Sequence, residues 1–238
     1  MTYILIHSPL VGPSTWQLVR AELEQLGRNV IVPELEDQPT ATEPYWQQHA
    51  SSLSRQLISL PAQQRVILVA HSGAGPLLPV IGQSLPGLEV SAYIFVDAGI
   101  PRDQASRLDL MRLQDPEWAR AFQQSLQRGE QFPTWREEDL QEVIPDIAQR
   151  QQMIAEVHPR SLSFFTEPIP VFSGWPDAPC AYIKFSSAYT WDFQQAKQAS
   201  WWVHEVNAGH FHMLVEPTAV TQLIIEAVET LVNHSPLH

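Results

Sequence analysis

The stretch Val66-Ile67-Leu68-Val69-Ala70-His71-Ser72-Gly73-Ala74-Gly75 decides how the rest of this chain is read. An apolar, β-branched burst of strand length breaks into a small-x-Ser-x-small turn, and helical spacing resumes behind it. This is the pattern of a nucleophile elbow: a buried parallel strand runs into a tight turn that lifts one serine, Ser72, above the end of a sheet. Bulky side chains two positions either side of that serine would collide with the neighbouring strand and helix. Ala70 and Ala74 satisfy the spacing in place of the usual glycines. A helix N-terminus behind the turn directs backbone N–H groups toward whatever the serine attacks and favours an oxyanion there, which makes the Gly73 N–H a candidate donor.

Outward from the elbow, strand-like runs alternate with helical stripes, the signature of βαβ units and a parallel sheet. Tyr3–Ile6, Asn29–Val32, Arg65–Ala70, Ser91–Asp97, Ala181–Phe185 and Trp201–Val206 read as six strands. Trp16, Val19, Leu23 and Leu26 form one stripe that stops at Gly27; Ala50, Leu53, Leu57 and Leu60 form another, stopped by Pro61. The last stripe (Val220, Leu223, Ile224, Ala227, Val228 and Leu231) follows Pro217, a suitable first helical residue. From Pro101 to about Pro179 the alternation is lost. Two helical stripes replace it, one through Trp118, Phe122 and Leu126 and one through Leu140, Val143, Ile144, Ile147 and Ile154, broken at Pro145.

A second signal stands near the end of the chain. In Asn207-Ala208-Gly209-His210-Phe211-His212-Met213-Leu214-Val215-Glu216-Pro217, an apolar strand precedes His210 and an amphipathic helix follows it. Gly209 is suited to a sharp turn that returns His210 over the sheet edge toward Ser72. With serine first and histidine last, the chain resembles the α/β-hydrolase superfamily from Tyr3 to about Leu231. The resemblance implies an α/β fold with a mostly parallel sheet of about six strands. Residues 1–100 and 180–238 would form the core, and residues 101–179 a mainly helical cap over the active site.

Two positions depart from the family pattern. The family usually supplies its acid a few residues after the penultimate strand, where this chain has Tyr189. Asp192 comes three residues late, where it reads as an N-cap of a helix over Phe193–Ala199. A minority of the family draws the acid from the end of the strand after the elbow helix, and Asp97 occupies that place; with the usual slot empty, Asp97 is preferred to Asp192 as the partner of His210. The first loop, His7-Ser8-Pro9-Leu10-Val11-Gly12-Pro13-Ser14-Thr15-Trp16, resembles the family's oxyanion loop, but Pro9 falls at the donor position and has no N–H. Leu10 takes over as donor if the loop shifts by one residue.

The remaining histidines have quieter readings. His7 orders the first loop, His71 points away from the site, and His210 with His212 lacks a third ligand, so no metal is implied. No glycine-rich phosphate motif followed by Lys-Ser or Lys-Thr occurs, and no cofactor is implied.

Composition narrows the function classes. The 238 residues suit one α/β domain with an insertion, and the 44% apolar content is ordinary for a globular protein. A formal net charge of −12 without a basic patch argues against nucleic acid or an anionic membrane as partner, leaving a small-molecule substrate. Met1-Thr2 leads straight into a strand with no signal-like segment, and Cys180 is the sole cysteine; both point to a cytoplasmic protein. Cys180 itself reads as the buried first residue of a strand.

The expectation is therefore a serine hydrolase for small or medium apolar esters, with Ser72, His210 and Asp97 as triad and Gly73 with Leu10 as oxyanion hole. The rivals are a C–C hydrolase or lyase on the same fold, and a ligand-binding relative that has lost turnover, favoured by the departures at Pro9 and Tyr189.

Overall fold

The computed structural model describes residues 1–85 and 87–233. Six strands form one sheet: β1 (Thr2–Ile6), β2 (Asn29–Ile31), β3 (Arg65–Ser72), β4 (Glu89–Ala98), β5 (Cys180–Lys184) and β6 (Trp202–Glu205). They lie in the order β2-β1-β3-β4-β5-β6, and every neighbouring pair is parallel. All six expected strands are present, with ends shifted by a residue or two.

A parallel sheet covered on both faces needs apolar residues at both parities of each strand, which is why the strands read as unbroken apolar runs. Tyr3, Leu5, Ile67, Val69, Ile94, Val96 and Ile183 turn to one face, against Val19 and Leu23 of α1 (Gln17–Gln25) and Val220, Ile224 and Val228 of α10 (Pro217–Asn233). Ile4, Ile6, Leu68, Ala70, Tyr93, Phe95 and Tyr182 turn to the other. There they meet Leu53 and Leu57 of α2 (Tyr45–Leu57), Ile81 of α3 (Leu78–Gln83) and Phe193 of α8 (Thr190–Gln198). Each fully buried Ile, Leu or Phe contributes roughly 1.5–3 kcal/mol of transfer free energy, so the two layers dominate the folding energetics. Gly27 ends the first helical stripe with φ +72, as its place after the last periodic residue implies.

Between β4 and β5 the chain builds α4 (Arg107–Gln114), α5 (Pro116–Gln127), α6 (Ile147–Ala155) and α7 (Leu162–Thr166). Leu108, Ala119, Phe122, Leu126, Phe164 and Phe165 form a separate apolar cluster inside this insertion. The stripe through Trp118 and Phe122 is α5. The stripe through Leu140 and Ile144 is a short 3₁₀ turn over Glu137–Leu140 followed by α6, and Ile147 is exposed rather than packed. Helices α4 and α7 have no clear apolar period in the sequence. A Ser106–Asp109 capping box starts α4, and Asp115 caps α5 by accepting from the N–H groups of Glu117 and Trp118. A final short helix, α9 (His212–Val215), precedes α10.

Candidate active site

The sheet ends that carry the site are shaped by two residues in left-handed backbone conformation. Ser72 closes β3 with φ +57, and the chain then turns through a 3₁₀ segment (Gly75–Leu77) into α3. Such a conformation costs a non-glycine residue of order 1–3 kcal/mol, and the surrounding close packing maintains it. A Cβ on Gly75 would lie 2.2 Å from the Gly99 carbonyl oxygen, so only glycine lets the turn sit this close to the end of β4. Ala70 and Ala74 are fully buried, as the elbow requires.

Asp97 is the second such residue, with φ +43. The β3–β4 register pairs His71 with Val96 but Ser72 with Ala98, leaving Asp97 as the extra residue of a bulge. A bulge redirects a side chain that regular pleating would send elsewhere. The phenol of Tyr182 braces this bulge, donating to the Ala98 carbonyl (2.5 Å) and accepting from the Ala98 N–H (3.2 Å). The redirected carboxylate is fully buried and completely engaged. Its Oδ1 accepts from the Phe185 and Ser186 N–H groups (2.8 and 2.9 Å), and its Oδ2 accepts from Ser186 Oγ (2.7 Å) and from His210 Nδ1 (2.7 Å). Burial pushes the Asp97 carboxyl up, but the bonds from His210 and Ser186 outweigh it and leave it below its ordinary value. The charged carboxylate fixes a proton on His210 Nδ1, so Nε2 carries the lone pair of the neutral imidazole.

The His210 loop is held from below. His71 is fully buried, and its Nε2–H donates to the His210 carbonyl (3.0 Å) while the two rings lie 4.4 Å apart. Burial holds His71 well below the ordinary imidazole range, so it stays neutral beside His210. His71 thus supports the loop from outside the cavity. Gly209 does not adopt a positive φ; it serves close approach instead, since a Cβ there would meet Val143 of the insertion at 3.3 Å. His212 faces the Phe185 ring rather than the cavity. Among the described residues no three His, Cys, Asp or Glu side chains gather as a metal site.

The first loop behaves differently from the expectation at Leu10. The Leu10 N–H donates to Ser8 Oγ (3.3 Å), so in this conformation it is already engaged. The reason lies in the insertion, which grips both neighbouring carbonyls. Arg160 Nη2 donates to the Pro9 carbonyl (3.1 Å), and the His158 N–H donates to the Leu10 carbonyl (2.9 Å). Across a trans peptide the C=O and N–H point in opposite directions, so holding the Pro9 carbonyl turns the Leu10 N–H inward, onto Ser8. Arg160 is itself anchored on the buried Asp37 (2.6 Å). Gly73 lies directly against this loop, with Ser8 Oγ 3.2 Å from where its Cβ would be. His7 orders the loop as its position suggests: Nδ1 donates to the Ser8 carbonyl (2.8 Å) and Nε2 accepts from the Leu35 N–H (3.2 Å).

Asp192 is not the cap of a helix beginning at Phe193. Helix α8 begins at Thr190, which places Asp192 inside its first turn. Its Oδ1 accepts from the Ile100 N–H (2.8 Å) and its Oδ2 from the side-chain amide of Gln114 on α4, whose own oxygen accepts from the Trp191 N–H (3.0 Å). Burial lifts the Asp192 carboxyl to about 7, and it makes no contact with His210. Cys180 is the buried first residue of β5.

These pieces open onto a cavity of about 430 Å³. Ser72, Gly73, Tyr189 and His210 form its floor, while Leu110, Met111, Trp118, Phe132, Trp135 and Phe165 of the insertion form its largely apolar wall. Tyr189 is the site residue whose part the sequence conceals. Its hydroxyl lies 3.0 Å from Ser72 Oγ, and its ring stacks on that of His210 at 5.4 Å and 18°.

A buried carboxylate, an imidazole oriented by it, and a serine on a strained turn between β3 and a helix define the α/β-hydrolase architecture. The chain belongs to the alpha/beta hydrolase family, whose model matches residues 3–223. It is 28% identical over 110 residues to methylesterase 1 of Arabidopsis thaliana, an alignment covering 44% of this chain and 41% of that protein. The match therefore spans about two fifths of that relative's length. Among solved structures, an extracellular α/β-hydrolase from a Paenibacillus species superposes with a TM-score of 0.76 at 19% identity, covering 95% of this chain and 98% of the other. Polyneuridine aldehyde esterase superposes with a TM-score of 0.71 at 17% identity, covering 94% and 98%. At these identities the superpositions establish the fold.

Proposed function

We propose that this protein is a serine hydrolase that cleaves small or medium apolar esters through an acyl-enzyme. The observation that carries the reading is the 2.7 Å contact between Asp97 and His210 Nδ1, beside Ser72 on the floor of an apolar cavity. With its Nδ1 proton bound to the carboxylate, His210 has Nε2 available to take the Ser72 proton as Oγ attacks an ester carbonyl. The Gly73 N–H, just behind the nucleophile, stabilises the oxyanion. Protonated His210 then gives its proton to the departing alkoxide, and in the second half-reaction it activates the water that releases the acid. Asp97 stays ionised throughout, and its four donors are the reason.

The cavity's apolar wall selects acyl or alcohol groups that shed water on entry. Residues 101–179 act as the cap that supplies this wall. An uncharged or weakly polar small molecule suits the site, and the acidic chain offers nucleic acid and anionic membranes no foothold. Among the described residues no helix is long and apolar enough to cross a membrane. A lone buried cysteine fits a cytoplasmic setting. Kinship with a methylesterase and likeness in fold to an esterase agree with ester chemistry.

A second reading, a binding protein without turnover, draws on Pro9 and on the engaged Leu10 N–H, which leave the first loop without a ready backbone donor. Ser72→Ala separates the two. The hydrolase reading expects loss of p-nitrophenyl butyrate turnover with an unchanged circular dichroism spectrum, whereas turnover that survives the substitution, or is absent from the wild type, contradicts it.

A further inference from the structure

The Ser72–Tyr189 contact has a direction that the sheet order defines. Ser72 ends β3; the first loop follows β1 on one side of it, and Tyr189 and His210 follow β5 and β6 on the other. The oxyanion position lies on the Gly73 side, next to Ser8 and Pro9. The alcohol of an ester must leave on the opposite side, because His210 has to hand it a proton there. Tyr189 occupies that side, with its ring flat against the imidazole and its hydroxyl 3.0 Å from Ser72 Oγ. Once Ser72 Oγ has bonded to the carbonyl carbon, the leaving oxygen is attached to the same carbon. Because Tyr189 stands on the leaving-group side, a small swing carries its hydroxyl from one of these oxygens toward the other.

Resting on the serine-hydrolase reading, we propose that Tyr189 is a catalytic residue whose phenolic O–H donates to the leaving-group oxygen as the C–O bond breaks. In the resting protein the hydroxyl is occupied by Ser72 Oγ; in the tetrahedral adduct Oγ no longer carries a proton and the phenol swings to the second oxygen. The bond from Oγ to the acyl carbon has formed, the bond to the alcohol oxygen breaks, and its electron pair stays on that oxygen. The proton that completes the alcohol is the one His210 took from Ser72, and Tyr189 keeps its own. Burial pushes the phenol above its ordinary value, against the lowering effect of the Ser72 bond, so the hydrogen needed for donation is retained at neutral pH. The stacked ring also shields the imidazolium from water on one face, which strengthens both hydrogen bonds.

Leaving-group dependence tests this. The substitution Tyr189→Phe keeps the ring and its stack on His210 and removes only the hydroxyl. Ethyl butyrate, whose alkoxide needs help to depart, should lose about ten- to a hundredfold in kcat/KM, the range for a hydrogen bond to a developing charge. With p-nitrophenyl butyrate, whose phenolate leaves unaided, the loss should stay below about threefold. Fluorophosphonate labelling, which expels fluoride and needs no proton donor, should proceed in both proteins. Equal losses on the two esters, or no loss on either, with labelling intact, would overturn the role of Tyr189 while leaving the Ser72–His210 pair standing. Failure of the wild type to label would remove the serine reading and this proposal together.

Discussion

Replacing Asp97 by Asn exchanges one carboxylate oxygen for an NH₂ in a site where each partner of that carboxylate is named. Oδ1 receives two backbone N–H groups, from Phe185 and Ser186, so the amide must place its oxygen there. The NH₂ then takes the Oδ2 position, facing Ser186 Oγ and His210 Nδ1. The serine hydroxyl can rotate and accept, but the imidazole can accept on Nδ1 only by moving its proton to Nε2. In that tautomer Nε2 has no lone pair for the Ser72 proton. Loss of this orientation in a serine–histidine–aspartate site costs about 10⁴ in kcat, equivalent to about 5 kcal/mol of transition-state stabilisation. Because every former partner remains satisfiable, the fold survives. The assay is steady-state turnover of p-nitrophenyl butyrate beside a thermal melt. A variant that folds and retains more than about a tenth of wild-type kcat would refute the argument.

Three further outcomes follow from the same geometry. His210→Ala should lose at least about 10³ in kcat on the same ester, whereas His212→Ala, which faces Phe185, should stay within a few-fold; the reverse ranking would show the wrong base has been assigned. Asp192 titrates at about 7 in the folded protein and at 3.8 ordinarily, so between those values the folded state holds a proton that the unfolded chain has released. Its contribution to stability is thus present below that window and lost as pH rises through it, so the melting-temperature deficit of Asp192→Asn should shrink from about pH 5 to about pH 8, and a pH-independent deficit contradicts it. Trp118 is 46% exposed at the cavity wall, so Trp118→Ala should raise KM for hexanoate esters more than for acetates with little change in kcat; an equal effect on both would remove it from the acyl path.

The parts of the site that are legible in the sequence are those set by local chain chemistry. The apolar run into Ser72 and the Gly-His pair before the last helix each carry their own strand-turn-helix context, whereas for the acid the family resemblance, with Tyr189 in the usual slot, only ranks Asp97 above Asp192. Other features depend on tertiary geometry and leave no local trace. Asp97 reaches His210 through a bulge visible only in the pairing of β3 with β4. Asp192 resembles a cap because it precedes an apolar helical residue, yet α8 starts at Thr190, three residues before the expected Phe193, and Gln114, from a distant helix, takes its carboxylate. Leu10 resembles a shifted donor until Arg160, some 150 residues further along the chain, holds the Pro9 carbonyl of the same peptide and leaves the Leu10 N–H on Ser8. The contact from Tyr189 to Ser72 belongs with these, since it joins the ends of two strands separated in the sheet by β4.

The central claim, that Ser72 is a nucleophile activated by His210, is tested most directly by intact-protein mass spectrometry after treatment with a fluorophosphonate, followed by peptide mapping. The expected result is a single adduct on Ser72 of the wild type, none on Ser72→Ala, and labelling slowed by orders of magnitude in His210→Ala. An adduct on another residue, or a wild type that takes up no probe under conditions that label other serine hydrolases, would contradict it.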